Sequence, residues 1–286
     1  YISEVSDLLS NLESIQNGFA AIVINGACLY HLHVYEKLLK WKHAHQHRIQ
    51  DWLDVIGEFE AINSIANFAH NNPQFVFPEI NQDKKILFKS LSHPLLSAKN
   101  RVSNDVEFGD SKFIILTGSN MSGKSTFLRS LGVNMVLARI GSPVCATEAS
   151  INPMPVYVSM RQTDSLVDGE SYFYAEIKRL RLILSSLKEE VGFVLLDEIL
   201  KGTNSDDKRT GTKEVIRKMI EARAIGVIAT HDLEVCETTE KYPHYLKNKC
   251  FEVQILDNEL YFDYKLNDVI CKNKNATFLM KKLEII

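Results

Sequence analysis

The 286 residues, 45% hydrophobic and 24% charged, are ordinary for a globular protein and provide for one large domain or two modest ones. A formal charge of −3, from 33 basic and 36 acidic residues, excludes a global basic field, so any contact with nucleic acid rests on a local surface. Cys28, Cys145, Cys236, Cys250 and Cys271 include no C-x-x-C pair, which argues against a zinc ribbon or a disulfide framework and points to reduced thiols in a cytoplasmic protein.

The chain begins at Tyr1 with no basic-then-apolar leader, which reads as the C-terminal piece of a longer protein. Residues 1–80 carry helical spacing, at Leu8, Leu9, Leu12 and Ile15 and again at Trp52, Val55, Ile56 and Phe59. The apolar stretch from Gly18 to Leu32 is broken by Asn25 and His31 and is too short to cross a bilayer, so it predicts a buried helix and no membrane contact. His43, His45 and His47 alternate beside Lys40, Lys42 and Arg48; on a helix only His43 and His47 share a face. A metal site there lacks further ligands, and a phosphate-contacting basic face and a plain solvated face are the other readings. Asn71-Asn72-Pro73 and Phe77-Pro78 then break the helical period, which puts a domain boundary near Ile80.

Beyond it, Phe113–Leu116, Phe193–Leu196 and Gly226–Ala229 are apolar runs of strand length, short enough to be buried on both faces. Helical patterns at Tyr174–Leu187 and Thr212–Ala222 alternate with them. The alternation predicts an α/β fold with a mostly parallel sheet flanked by helices, its ligands at the carboxyl ends of the strands.

After the first run stands G-x-x-x-x-G-K-S, residues Gly118 to Ser125. In such a loop Gly118, Ser119, Asn120, Met121, Ser122 and Gly123 turn backbone N–H groups toward phosphates, and a helix opening at Lys124 adds its positive end. Lys124 reaches the β and γ phosphates, Ser125 gives a hydroxyl to Mg²⁺, and Thr126 continues the helix. Asp197 and Glu198 close the second run, one placed to hold the metal and the other to polarise an attacking water. His231 closes the third, where an imidazole can touch the γ phosphate or that water. The order of these elements resembles the ABC-type ATPases and predicts a P-loop NTPase of ABC type. The transporter signature L-S-G-G-Q is absent.

In its place, Asp168 to Glu176 resembles the S-G-x-S-T-F-x-x-E element of the MutS family of DNA mismatch repair ATPases, matching at Gly169, Ser171, Phe173 and Glu176. Thr117–Thr126 resembles the family's T-G-P-N-M-x-G-K-S-T loop, with Ser119 for proline and Ser122 for the small glycine; Asp197-Glu198-Ile199 followed by Gly202-Thr203 resembles its D-E-I-G-R-G-T, and Ala229-Thr230-His231 its A-T-H. Ser92-His93-Pro94, Asn104-Asp105 and Tyr264-Lys265-Leu266 are similar to its R-H-P, P-N-D and Y-K-L segments. The resemblance implies an ATP- and Mg²⁺-dependent homodimer joined through residues 81–286, in which Ser171 of each copy completes the other's site. Tyr264 falls where the family stacks a ring on adenine, and residues 1–80 correspond to part of its lever and core helices. Mismatched or branched DNA, and other repair proteins, are the implied partners, with DNA contacted outside this chain. The aromatic that the family often carries before P-N-D is Arg101 or Val102 here, and the segment around Gln162 is shorter than the family's. A non-catalytic ATP-dependent scaffold and the ATPase of a transporter are the rival readings.

Overall fold

In a computed structural model, residues 2–13, 18–160, 172–256 and 259–271 are described, and the chain forms two compact units, Tyr1–Asn67 and Phe68–Ile286. The first unit is helical: α1 (Ile2–Glu13), α2 (Gly18–Cys28), α3 (Tyr30–His45) and most of α4 (Ile49–Asn71). The apolar stretch from Gly18 splits at Leu29, which takes a left-handed φ of 49°. There Asn25 Oδ1 accepts the N–H of His31 at 3.0 Å, so the two polar residues that interrupt the run are bonded to one another across the break. The expected burial of this helix is overturned, because Ile22, Val23 and Ile24 are all exposed, Ile22 at 73%. The face shared by His43 and His47 is also absent: α3 ends at His45, and His47 lies in the turn before α4. His45 packs instead between Trp41 and Trp52, at ring distances of 5.1 and 5.9 Å. Among the described residues no group of three His, Cys, Asp or Glu is arranged to hold a metal, and no helix is long and apolar enough to cross a membrane.

The units divide inside α4, ahead of the change in composition near Ile80. The end of α4 belongs with the second unit because Phe68 packs edge-on against Phe75, 5.7 Å away, and Phe75 in turn lies under the Arg101 guanidinium.

The second unit runs β1 (Glu79–Ile80), β2 (Ile86–Leu91), β3 (Asn104–Phe108), β4 (Phe113–Gly118), α5 (Lys124–Arg139), β5 (Glu148–Ile151), β6 (Val156–Ser159), α6 (Tyr172–Ser186), β7 (Phe193–Asp197), α7 (Ser205–Glu221), β8 (Ile225–Ala229), β9 (Leu246–Leu256) and β10 (Glu259–Asn267). The larger sheet has the order β10-β9-β4-β8-β7-β6, parallel throughout except for the antiparallel β10. A smaller sheet, β1-β5-β2-β3, holds the short β-rich runs that come after Ile80.

Side chains alternate across a strand, so each apolar run of the larger sheet feeds two cores. Ile114 and Leu116 of β4, with Phe193 and Leu195 of β7, meet Leu128, Leu131 and Met135 of α5 and Phe88 and Phe108 of the smaller sheet. Phe113 and Ile115, with Val194 and Leu196, meet Leu180 and Ile183 of α6 and Ile216 and Met219 of α7. Each such side chain contributes roughly 1.5–3 kcal/mol on leaving water, which is why these strands need no polar face. α7 starts where Asn204 Oδ1 accepts the N–H of Asp207 at 2.8 Å, several residues before its apolar period becomes legible.

Gly226 lies between β4 and β7 at φ 158°, where an added Cβ would stand 1.9 Å from the Val194 carbonyl oxygen. Gly226→Ala is therefore expected to lose more than about 3 kcal/mol in urea unfolding. Gly57→Ala, on an open face of α4, should be neutral or stabilising by up to about 1 kcal/mol.

Candidate functional site

Because β4, β8 and β7 are parallel neighbours, their carboxyl ends open onto one edge, and the loop from Gly118 to Gly123 spans that edge before α5 begins. Gly123 precedes the helix at φ 104°, a left-handed conformation that a side chain would strain, and an added Cβ would lie 3.1 Å from Tyr264 Cδ1. The close approach brings a ring from β10 against the turn of the loop.

Lys124 opens α5 and is buried. Its ammonium curls back over the loop, donating to the carbonyl oxygens of Gly118 and Ser119 at 2.9 Å each, and lies 3.4 Å from His231 Nε2. Burial lowers its pKa, while Glu198 and Asp197 act in the opposite sense. Ser125 Oγ donates to Asp197 Oδ2 at 2.6 Å; Asp197 Oδ1 is buried with no protein partner, as is Ser122 Oγ. A buried carboxylate oxygen without a donor is costly on its own, so the Ser125–Asp197 pair fits a hard cation at the open oxygen.

Glu198 takes a left-handed φ of 50°, its N–H bonded to the Ala229 carbonyl at 2.9 Å. Its carboxylate bonds the His231 imidazole and, at 2.6 Å, the Lys201 ammonium. The bond to His231 holds the Glu198 carboxyl far below the usual carboxylate range; burial opposes this and Lys201 reinforces it. Leu200, two residues on, is again left-handed at φ 62°. Its N–H is held at 2.8 Å by Oε1 of the buried Glu176, on the first turns of α6. Two non-glycine residues in this region cost of order 1–3 kcal/mol each and persist only where neighbours enforce them. The Ala229 carbonyl and the Glu176 carboxylate are the enforcing partners.

A cavity of about 720 Å³ runs along this edge, within the range of small-molecule sites. Asn120, Met121, Ser122, Gly123, Lys124, Ser125 and Thr126 line it together with Asp197, Glu198 and Tyr264, while Gly118 and Ser119 serve through their carbonyls. His231 joins through its bonds to Glu198 and its approach to Lys124. Ser171 and Gln162 lie outside the described residues. Val102 lines the cavity, whereas Arg101 does not: it donates to Cys145 Sγ at 2.9 Å and stacks over Phe75.

Three contributors have partners that no motif names. Lys201 has no periodicity to mark it, because it sits in a loop. Glu176 is legible as part of a motif, and its spacing from Leu180 and Ile183 marks a buried helix face, yet nothing local names Leu200 as its partner. Asn104, legible as part of a motif, has its partners on the distant β10.

A mixed α/β unit with a Gly-Lys-Ser loop and paired carboxylates at parallel strand ends is the class that fold and site define. Residues 114–281 match the family described as MutS domain V. The chain is 31% identical over 242 residues to the DNA mismatch repair protein MutS of Methanosarcina barkeri, covering 82% of this chain and 27% of that protein. It is 30% identical over 250 residues to MutS protein homolog 4 of Homo sapiens, covering 84% and 26%. It is 35% identical over 197 residues to MutS of Methanococcoides burtonii, covering 66% and 22%. The chain belongs to the MutS family, as the ordered motifs imply, and spans about a quarter of the length of these relatives.

Removing Glu176 leaves the Leu200 N–H buried without an acceptor, a loss of about 1–3 kcal/mol. Glu176→Ala should show that loss in urea unfolding, and Glu176→Gln, which keeps an acceptor oxygen, should recover most of it.

Proposed function

We propose that this chain is the ATP-binding and ATP-hydrolysing part of a longer MutS-like protein that acts on mismatched or branched DNA in the cytoplasm. The observation that carries the reading is the meeting of Lys124, the Ser125–Asp197 pair and the Glu198–His231 pair on one cavity of nucleotide size. On this reading the second unit is a P-loop NTPase domain of ABC type, drawn in sequence terms as residues 81–286. Residues 1–80 join it to DNA-contacting regions elsewhere in the protein.

Lys124 exchanges the Gly118 and Ser119 carbonyls for the β and γ phosphates, a stronger acceptor for the same ammonium. The loop amides and the start of α5 receive the remaining phosphate charge. Ser125 and Asp197 would hold Mg²⁺, which when bound neutralises charge on the phosphate oxygens. Glu198 polarises the attacking water. A base held so far below its usual range is weak, so Glu198 gains strength only as a bound phosphate draws His231 and Lys201 away from it. His231 is then free to touch the γ phosphate or the water. Tyr264 stacks on adenine, and Ser171 of a second copy completes the site, making the unit an ATP-closed homodimer that signals to DNA and to other repair proteins.

The binding of Glu198 by both His231 and Lys201 also suits a scaffold in which ATP occupancy alone organises partners; turnover by the full-length protein separates the two. Lys124→Ala should abolish ATP binding measured with a fluorescent ATP analogue. Glu198→Gln should keep binding while lowering turnover by about 10²–10⁴-fold, and a chelator of Mg²⁺ should stop turnover in the unaltered protein. Parental turnover by Glu198→Gln removes the assignment of that carboxylate. Comparing homoduplex, mismatched and branched DNA as stimulants of the full-length ATPase tests the DNA reading; equal, unstimulated rates with all three count against it.

A further inference from the structure

Tyr264 reaches the cavity in a conformation that its own chain does not favour. Its φ is 54°, and the antiparallel pairing of β10 with β9 slips between Phe262 and Leu266, so the ring stands on an irregular turn of an outer strand. The Asn104 side chain spans that turn. Its Nδ2 donates to the Tyr264 carbonyl at 3.0 Å, and its Oδ1 accepts the N–H of Leu266 at 2.8 Å. One residue earlier, the Ser103 carbonyl accepts the Lys265 ammonium at 2.8 Å. The Tyr264 carbonyl and the Leu266 N–H, on either side of the slip, are thus both met by Asn104 at the start of β3, while the Lys265 N–H is held by Asp263 Oδ1 at 2.9 Å. The ring then lies nearly parallel to Phe262, with centroids 5.9 Å apart, and against Gly123 of the loop. Asn104 and Tyr264 both line the cavity, but both ends of the Asn104 amide are already engaged.

We infer that Asn104 is the positioning residue for nucleobase binding: it clamps the irregular turn of β10 so that the Tyr264 ring stands at a fixed distance from the phosphate loop, and it makes no contact with the base itself. The inference rests on the nucleotide reading of the site. With the amide of Asn104 spent on backbone, this wall offers a base a ring face and the aliphatic Val102, so it selects for stacking surface. A cation-and-phosphate site without the clamp would still hold the triphosphate tail and would lose its purchase on the base.

The test measures Mg²⁺-dependent binding of ATP and of inorganic tripolyphosphate to the full chain and to Asn104→Ala, Tyr264→Ala and the double variant. Stacking on an aromatic is worth enough that Asn104→Ala should weaken ATP by about tenfold, with tripolyphosphate affinity unchanged. Tyr264→Ala should do the same, and the double variant should be no weaker than either single one, because the two residues act as one device. In turnover the expected signature is a raised KM with kcat unaltered. Unaltered ATP affinity in Asn104→Ala, an equal loss for tripolyphosphate, or additive losses in the double variant each overturns the inference while leaving the nucleotide site standing. Failure of the unaltered chain to bind either compound overturns the nucleotide reading and this inference together. Should Asn104→Ala not fold, Asn104→Asp keeps the oxygen needed by the Leu266 N–H but not the donor to Tyr264; it should show the same split between ATP and tripolyphosphate, and equal affinities to the parent overturn the inference.

Discussion

The parallel pairing of β4 with β8 and of β8 with β7 is the constraint on which the site depends. In that register Leu116 stands opposite Ala229 and Asp197 opposite the same Ala229, so the residues just past each strand emerge at one level. The Thr230 N–H bonded to Leu116 and the Glu198 N–H bonded to Ala229 extend the ladder just beyond the strands and lock the three exits together. Slipping any strand by one residue would turn its apolar side chains to the wrong core, so burial on both faces protects the geometry of the edge. The chemistry-bearing groups gain their positions from the apolar groups behind them.

Charge at that edge is balanced within the chain. Lys124, Asp197, Glu198, His231 and Lys201 gather where water is partly excluded, and a buried charge without a partner would cost several kcal/mol. The ammonium of Lys124 settles on loop carbonyls, Asp197 on Ser125, and Glu198 on His231 and Lys201. Each partner is one that a phosphate or a cation could replace with a stronger interaction. What is left over, one oxygen of Asp197 and the hydroxyl of Ser122, marks where the internal balance is incomplete.

Polar side chains from distant elements hold the loops around this edge. The fully buried Asn134 of α5 donates to the Ser92 and Ser130 carbonyls and accepts the Cys145 N–H, tying the helix after the loop to the smaller sheet. Glu176 does the same for the loop after β7. In a packed interior a hydrogen bond from an amide or to a carboxylate oxygen is directional in a way that aliphatic contact is not, so these residues define loop shape where the hydrophobic cores define only layer position.

Much of this is legible in the chain alone. The strands, α5, and the loop with its glycine, lysine and serine come from local rules: period-two and helical apolar spacing, turn residues at strand ends, and a phosphate-binding pattern in consecutive residues. The resemblance to the MutS family comes from the same kind of contiguous motif. The burial expected for the stretch after Gly18 fails because composition says what a segment could cover but not whether anything lies against it, and the face of His43 and His47 is lost because α3 ends at His45, between them. Only the tertiary structure decided that Lys201 and His231 share Glu198, that Glu176 holds Leu200, and that Asn104 holds Tyr264 from 160 residues away. These pairings are set by strand order and register, and an apolar run that is buried on both faces carries the same pattern whichever neighbours it has.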